Sequence, residues 1–127
     1  MRTTLLRSVA VTALCGLASA PVAAQQVNKE QMPGIRNLSR IESTVACAGA
    51  ITPAAVAGIK EMGYGAIINL RLATEQGADI GGHTASAKAA DIRYIHIPFS
   101  GTNPEPGAVD AFLKAITSPG VEPAFIH

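Results

Sequence analysis

A chain of 127 residues that is 48% hydrophobic and 15% charged has the composition of one small globular domain, which excludes a disordered tail and leaves no room for a second domain. Ten lysines and arginines against nine acids give a formal charge of +1. Two of those arginines, Arg2 and Arg7, open the chain; without them eight basic residues face nine acids, and no basic field remains to hold nucleic acid.

Met1 to Ala24 has the layout of a secretory signal peptide. Arg2 and Arg7 supply the positive start, Val9 to Ala20 the apolar stretch, and Val22-Ala23-Ala24 a small-residue cleavage site before Gln25. The apolar stretch is shorter than the ~20 residues a membrane span needs. The expected mature protein therefore begins at Gln25, is periplasmic or secreted, and has no membrane association after cleavage. Leu14 precedes Cys15 where a lipoprotein signal requires a small residue, so lipidation is not expected. Cleavage leaves Cys47 as the one cysteine, so no intrachain disulfide forms and the core must hold the fold.

Gln25 to Gly34 is polar and reads as a linker, and Leu38 to Ile41 and Thr44 to Ala48 carry weak strand signals. Thr52-Pro53 is a helix start, with the threonine hydroxyl in the capping position and proline where no N–H is needed. Val56, Ile59 and Met62 fall on one face of that helix, and Gly63 ends it. Ala66 to Leu70 is a short apolar run of buried-strand type, closed by Arg71. Leu72 to Gly82 is a loop, the alanine-rich Thr84 to Ala90 a short helix, and Arg93 to Ile97 a strand closed by Pro98. A proline-bearing loop, Phe99 to Pro106, precedes a helix to Ile116, whose Val109, Phe112, Leu113 and Ile116 have the spacing of a core-facing stripe. After Pro119-Gly120 the chain enters the apolar strand Ala124 to Ile126 and reaches His127. Helices alternating with strands define an α/β fold with a mostly parallel central sheet flanked by helices. Ligands of such sheets bind beyond the carboxyl ends of the strands, the edge where Arg71 and His127 stand.

This order of elements, with Ile68-Asn69-Leu70-Arg71, Glu75, Tyr94-Ile95-His96-Ile97-Pro98 and Phe125-Ile126-His127 at its joints, resembles the cysteine-dependent protein tyrosine phosphatase-like superfamily. Within it the chain looks most like the small bacterial dual-specificity-like phosphatases sometimes described as sulfur transferases. The resemblance covers Ile35 to His127. In that family the strand ending in histidine runs into a loop that opens with the nucleophilic cysteine and closes with an arginine. Its backbone N–H groups cradle phosphate and lower the thiol pKa, so that a phosphocysteine forms and water then hydrolyses it. The resemblance thus implies a phosphatase-like domain, residues 35–127, truncated before its phosphate-binding loop and C-terminal helices. As given it is inactive, with the nucleophile expected directly after His127.

On the same resemblance, Arg71, Glu75, Ser100, Thr102 and His127 surround the pocket of a phosphorylated substrate. Arg71 and Glu75 read equally well as a surface ion pair. The loop aspartate that protonates the leaving group in many relatives would fall near Gly101, and the chain has none there; Glu105 is the nearest carboxylate, with a charge in the first turn of the following helix as its favoured role. Cys47, between Ala46 and Ala48, reads as a small buried hydrophobe and His96 as a half-buried structural residue. Three histidines without paired spacing give no metal site, and no cofactor is expected. Two other functions use the same fold: a periplasmic sulfur transferase carrying a persulfide on the loop cysteine, and a binding module without catalysis.

Overall fold

In the strand Ala66–Asn69 and again in Ala124–Ile126, successive side chains leave opposite faces of the sheet. Ile67 and Phe125 enter one core, while Ala66, Ile68, Ala124 and Ile126 enter another. Short runs that are apolar at consecutive positions therefore mark strands covered on both sides. The computed structural model describes residues 26–127; the signal peptide read from Met1 to Ala24, and Cys15 with it, lies outside the described residues.

The described chain forms β1 (Val27–Met32), β2 (Ile35–Ile41), β3 (Val45–Cys47), a 3-10 turn (Pro53–Ala55) leading into α1 (Val56–Glu61), β4 (Ala66–Asn69), α2 (Ile80–Ala89), β5 (Arg93–His96), α3 (Ala108–Ile116) and β6 (Ala124–Ile126). All six strands share one sheet in the order β1-β2-β3-β6-β4-β5. β1, β2 and β3 are antiparallel neighbours, whereas β3, β6, β4 and β5 run parallel. The sheet is thus mixed: parallel from β3 to β5, in line with the mostly parallel arrangement expected above, with an antiparallel extension through β2 that the sequence did not predict. The cause is local: the tight turns after Met32 and Ile41 leave room only for antiparallel returns, whereas parallel neighbours need a crossover of a dozen or more residues. Gly34 permits the first of these turns at φ +75°.

β1 falls within the polar stretch that the sequence predicts to be a linker. It pairs with β2 from Val27↔Ile41 to Met32↔Ile35. Nearly every residue of this edge strand is exposed, so its sequence shows no apolar alternation, and the strand is defined by its partner. On one face of the sheet, α1 and α2 close a core of Leu38, Val56, Ile59, Tyr64, Ile67 and Phe125, with the Tyr64 and Phe125 rings edge to face at 5.5 Å. On the other, α3 lies over Ala66, Ile68, Val121 and Ala124.

The helices depart from expectation at their starts and on one face. Thr52 makes no side-chain capping bond. α2 begins at Ile80, ahead of the expected Thr84, because the Asp79 carboxylate accepts the Gly82 N–H at 2.8 Å and caps it there. The apolar stripe of α3 is only half covered. Phe112 and Ile116 pack against the sheet, but Val109 and Leu113 are 60% and 53% exposed. Val109 and Phe112 join Leu70, Ile97 and Phe99 around a shallow apolar hollow of about 150 Å³.

Candidate anion-binding cleft at the carboxyl edge of the sheet

The carboxyl ends of β4, β5 and β6 are tied together by backbone bonds that continue past the strands. The Leu70 N–H donates to the His127 carbonyl at 2.7 Å and the His127 N–H to the Ile68 carbonyl at 3.0 Å. The Ile97 N–H donates to the Asn69 carbonyl at 2.9 Å. Arg71 emerges from this edge with both main-chain groups held by side chains. Its N–H donates to Asn69 Oδ1 at 2.8 Å, and its carbonyl accepts from His96 Nε2 at 2.8 Å. Asn69 is fully buried, and its amide nitrogen donates to the Tyr94 hydroxyl at 2.7 Å. A polar residue inside an apolar strand is costly without partners; here all three bonds serve to aim Arg71.

The Arg71 guanidinium is fixed as well. Nε meets Glu75 Oε2 at 3.1 Å and Nη2 donates to the Gln76 carbonyl at 2.9 Å, while Nη1 is buried without a hydrogen-bond partner in the protein. Glu75 Oε1 accepts the Leu72 N–H at 2.8 Å. That backbone bond first, and then Arg71 against some opposing desolvation, holds the Glu75 carboxyl below the usual carboxylate range. Arg71 and Glu75 are thus an ion pair and part of a cleft wall at once. The cleft, about 610 Å³ and open to solvent, runs between Arg71 and Glu75 to Gly77 on one side and Ala48 to Ala50 with Arg36 on the other.

One wall follows β4 and the other follows β3. β6 lies between those strands, so His127 ends the strand that rises between the two walls. His127 is 5% exposed, and neither ring nitrogen has a hydrogen-bond partner in the protein. Its ring meets that of His83 edge to face at 5.5 Å. Burial, and after it the charges of His83, Arg71 and His96, push its pKa down to about 4, so the ring is neutral at pH 7. His83, also buried, donates through Nε2 to the Ile51 carbonyl at 3.0 Å.

The other residues singled out from the sequence lie elsewhere. Ser100 and Thr102 sit on the exposed loop after β5, bonded to each other at 3.2 Å, and line none of the clefts described. Glu105 is not in the first turn of α3. The helix begins at Ala108 after Gly107 in the left-handed region, and the acidic residue of its first turn is Asp110; Glu105 contributes its carbonyl to the Ala108 N–H. Cys47 is exposed, not buried, because alternation along β3 sends Ala46 into the core and Cys47 away from it. Partial desolvation still pushes its thiol up, which disfavours the thiolate. No group of three or more potential metal ligands occurs among the described residues.

Two contributors, Arg36 and His83, carry no signal in the sequence, whereas Asn69 and Tyr94 stand in the segments that carry the family resemblance, without their part in holding Arg71 being legible there. Arg36 comes to the cleft through sheet pairing, and His83 is buried on a helix of alanines and small polar residues; neither is visible locally.

Comparison places this architecture among known folds. Two crystal structures, at 1.60 Å and 1.40 Å, of a "Putative phosphatase (DUF442)" from Shewanella putrefaciens CN-32 superpose with TM-scores of 0.66 and 0.64, each at 23% sequence identity. Each match covers 74% of this chain, but only 59% and 62% of the Shewanella chain. The chain thus has an α/β fold of the kind found in that phosphatase-named protein, and spans about three fifths of its length. No protein-family model matches the chain, and neither does any curated protein.

Proposed function

We propose that this chain is the amino-terminal part of a cysteine-dependent phosphatase of the protein tyrosine phosphatase-like superfamily, which hydrolyses phosphomonoesters through a phosphocysteine. The observation that carries the reading is the position of His127. It is buried at the carboxyl end of the central strand β6, between walls that include the rigidly held Arg71. A residue following His127 would leave the sheet into the cleft, which is where a nucleophile must stand to meet an anion bound there. In this reading the cysteine and the phosphate-clamping arginine both follow His127, and the neutral His127 ring orients the loop that bears them. The half-covered stripe of α3 supports the same continuation, since Val109, Leu113 and Phe99 offer a following helix an apolar seat. The shared fold with a phosphatase-named protein of greater length agrees with it.

The test begins with the nucleotide sequence beyond the His127 codon and continues with the extended chain. It should release phosphate from an aryl phosphate, and replacing the new cysteine by serine should abolish turnover. The 127-residue chain should be inactive and indifferent to Cys47→Ala. Persulfide formation from thiosulfate without phosphate release would assign the loop to sulfur transfer, and a following sequence without cysteine would make the domain a binding module. Export is part of the proposal: mass spectrometry of periplasmic material should find a mature start at Gln25, and retention of Met1 would refute it.

A further inference from the structure

We infer that Arg36 marks a second anion subsite in this cleft, which selects phosphomonoesters carrying another anionic group, phosphate or carboxylate, on the order of 10 Å from the reacting one. The inference rests on the phosphatase reading for its substrate, but the subsite itself follows from charge and position.

The ion pairs among the described residues are Arg40 with Glu30 and Arg71 with Glu75. Arg36 is in neither, and its side chain is exposed at the cleft rim. The root of that side chain is nevertheless fixed. The Arg36 N–H donates to the Ala50 carbonyl at 3.0 Å, and its carbonyl accepts the Gly49 N–H at 2.8 Å. Its stem lies along Gly49, where a Cβ would sit 3.5 Å from Arg36 Cδ. A fixed root lowers the entropy lost when the guanidinium closes on a ligand. With Arg71 opposite and Glu75 the only lining acid, the cleft holds two guanidiniums against one carboxylate. Arginine is suited to such a role, since its planar fork binds phosphate or carboxylate bidentately.

Position decides which anion it meets. Arg36 is on β2, and β3 separates β2 from β6 in the sheet. At about 4.8 Å per strand spacing, Arg36 stands roughly 10 Å to the side of the strand that leads to the reacting centre. That offset is the backbone's; the Arg36 side chain lines the cleft wall opposite Arg71, which suits it to a second group on the same molecule.

Binding to the 127-residue chain can be measured without any catalysis. Titration with inorganic phosphate, followed by amide NMR at constant ionic strength, should give saturable shifts at Gly49, Ala50 and Gly77. Arg36→Gln should weaken that binding at least tenfold, with the rest of the spectrum unchanged, and Arg36→Lys should restore part of it. Absence of saturation at millimolar phosphate, or equal affinity in Arg36→Gln, would overturn the subsite. In the extended enzyme, Arg36→Gln should raise KM for a doubly anionic substrate by at least tenfold more than it raises KM for a simple aryl phosphate. Equal losses on both substrates would overturn the selective role. An extended chain with no phosphatase activity, while phosphate still bound at Arg36, would refute the proposed function and leave the subsite standing.

Discussion

Acidification should destabilise this fold between pH 6.5 and pH 4 through His127. In the native state the ring is buried and its pKa is pushed down from 6.5 to about 4, with His83, Arg71 and His96 as the charged or chargeable groups around it. In the unfolded chain it titrates near its ordinary value. Between those two values the unfolded state binds the extra proton, so stability is intact above pH 6.5 and falls as the pH descends. The slope is about 1.4 kcal/mol per pH unit, which over this window amounts to roughly 3 kcal/mol. That is a large share of the ~5–15 kcal/mol that holds a small domain together. Glu75 acts lower down: its carboxyl is held below the usual range, so its contribution is lost only as the pH falls through that lowered value. Urea unfolding at pH 7, 6, 5 and 4.5 should show a falling midpoint, by about 1 M for each 1.5 kcal/mol lost. His127→Asn should flatten the slope between pH 6.5 and 4.5, and the His127 ring protons in NMR should not move until the pH approaches 4. A midpoint unchanged down to pH 4.5, or a His127 that titrates near 6.5, would refute the reasoning.

Gly65→Ala should destabilise by about 1–3 kcal/mol, because the new Cβ would stand 2.6 Å from the Gly120 carbonyl oxygen and 3.2 Å from that of Val121. Gly101→Ala, with nothing within 4 Å, should be near neutral in the same urea assay. Asn69→Ala should cost about 1–3 kcal/mol by leaving the Tyr94 hydroxyl and the Arg71 N–H without their partner, and should also broaden the Arg71 amide resonance as its anchor is lost. In the extended enzyme, the absence of a loop aspartate should make rates fall steeply as leaving-group pKa rises, a loss on the order of 10²–10⁴-fold for alkyl phosphates. Glu105→Gln should change little there; if it removes alkyl phosphate turnover, Glu105 is the general acid.

What the sequence disclosed of the fold follows the burial of each element. Ala66 to Asn69 and Ala124 to Ile126 are covered on both faces, so their apolar runs alone identified them. β1 is exposed along nearly all its length and paired only at its edge, so nothing in Val27 to Met32 distinguished it from a linker. α3 shows the reverse error. Its stripe is amphipathic in sequence, but of its four residues only Phe112 and Ile116 pack on the sheet, and Val109 and Leu113 remain outside. Periodicity records that a helix has an apolar face without recording what covers it.

The site divides along the same line, between what a strand ends in and what sheet pairing brings to it. Arg71 and His127 were legible because each directly follows an apolar run, and chemistry at a parallel sheet gathers at such ends. Their geometry was not legible. Arg71 is held through Asn69, His96, Glu75 and Gln76, and only the last two are its close sequence neighbours beyond the strand. Arg36 is 35 residues away from Arg71 in the chain and reaches the same cleft because β2 returns beside β3, and β3 beside β6. An antiparallel extension on an otherwise parallel sheet thus does more than cover an edge. It carries a second cation to the rim of the cleft, about two strand spacings from His127, where it acts on the part of a ligand that the strand-end residues do not reach.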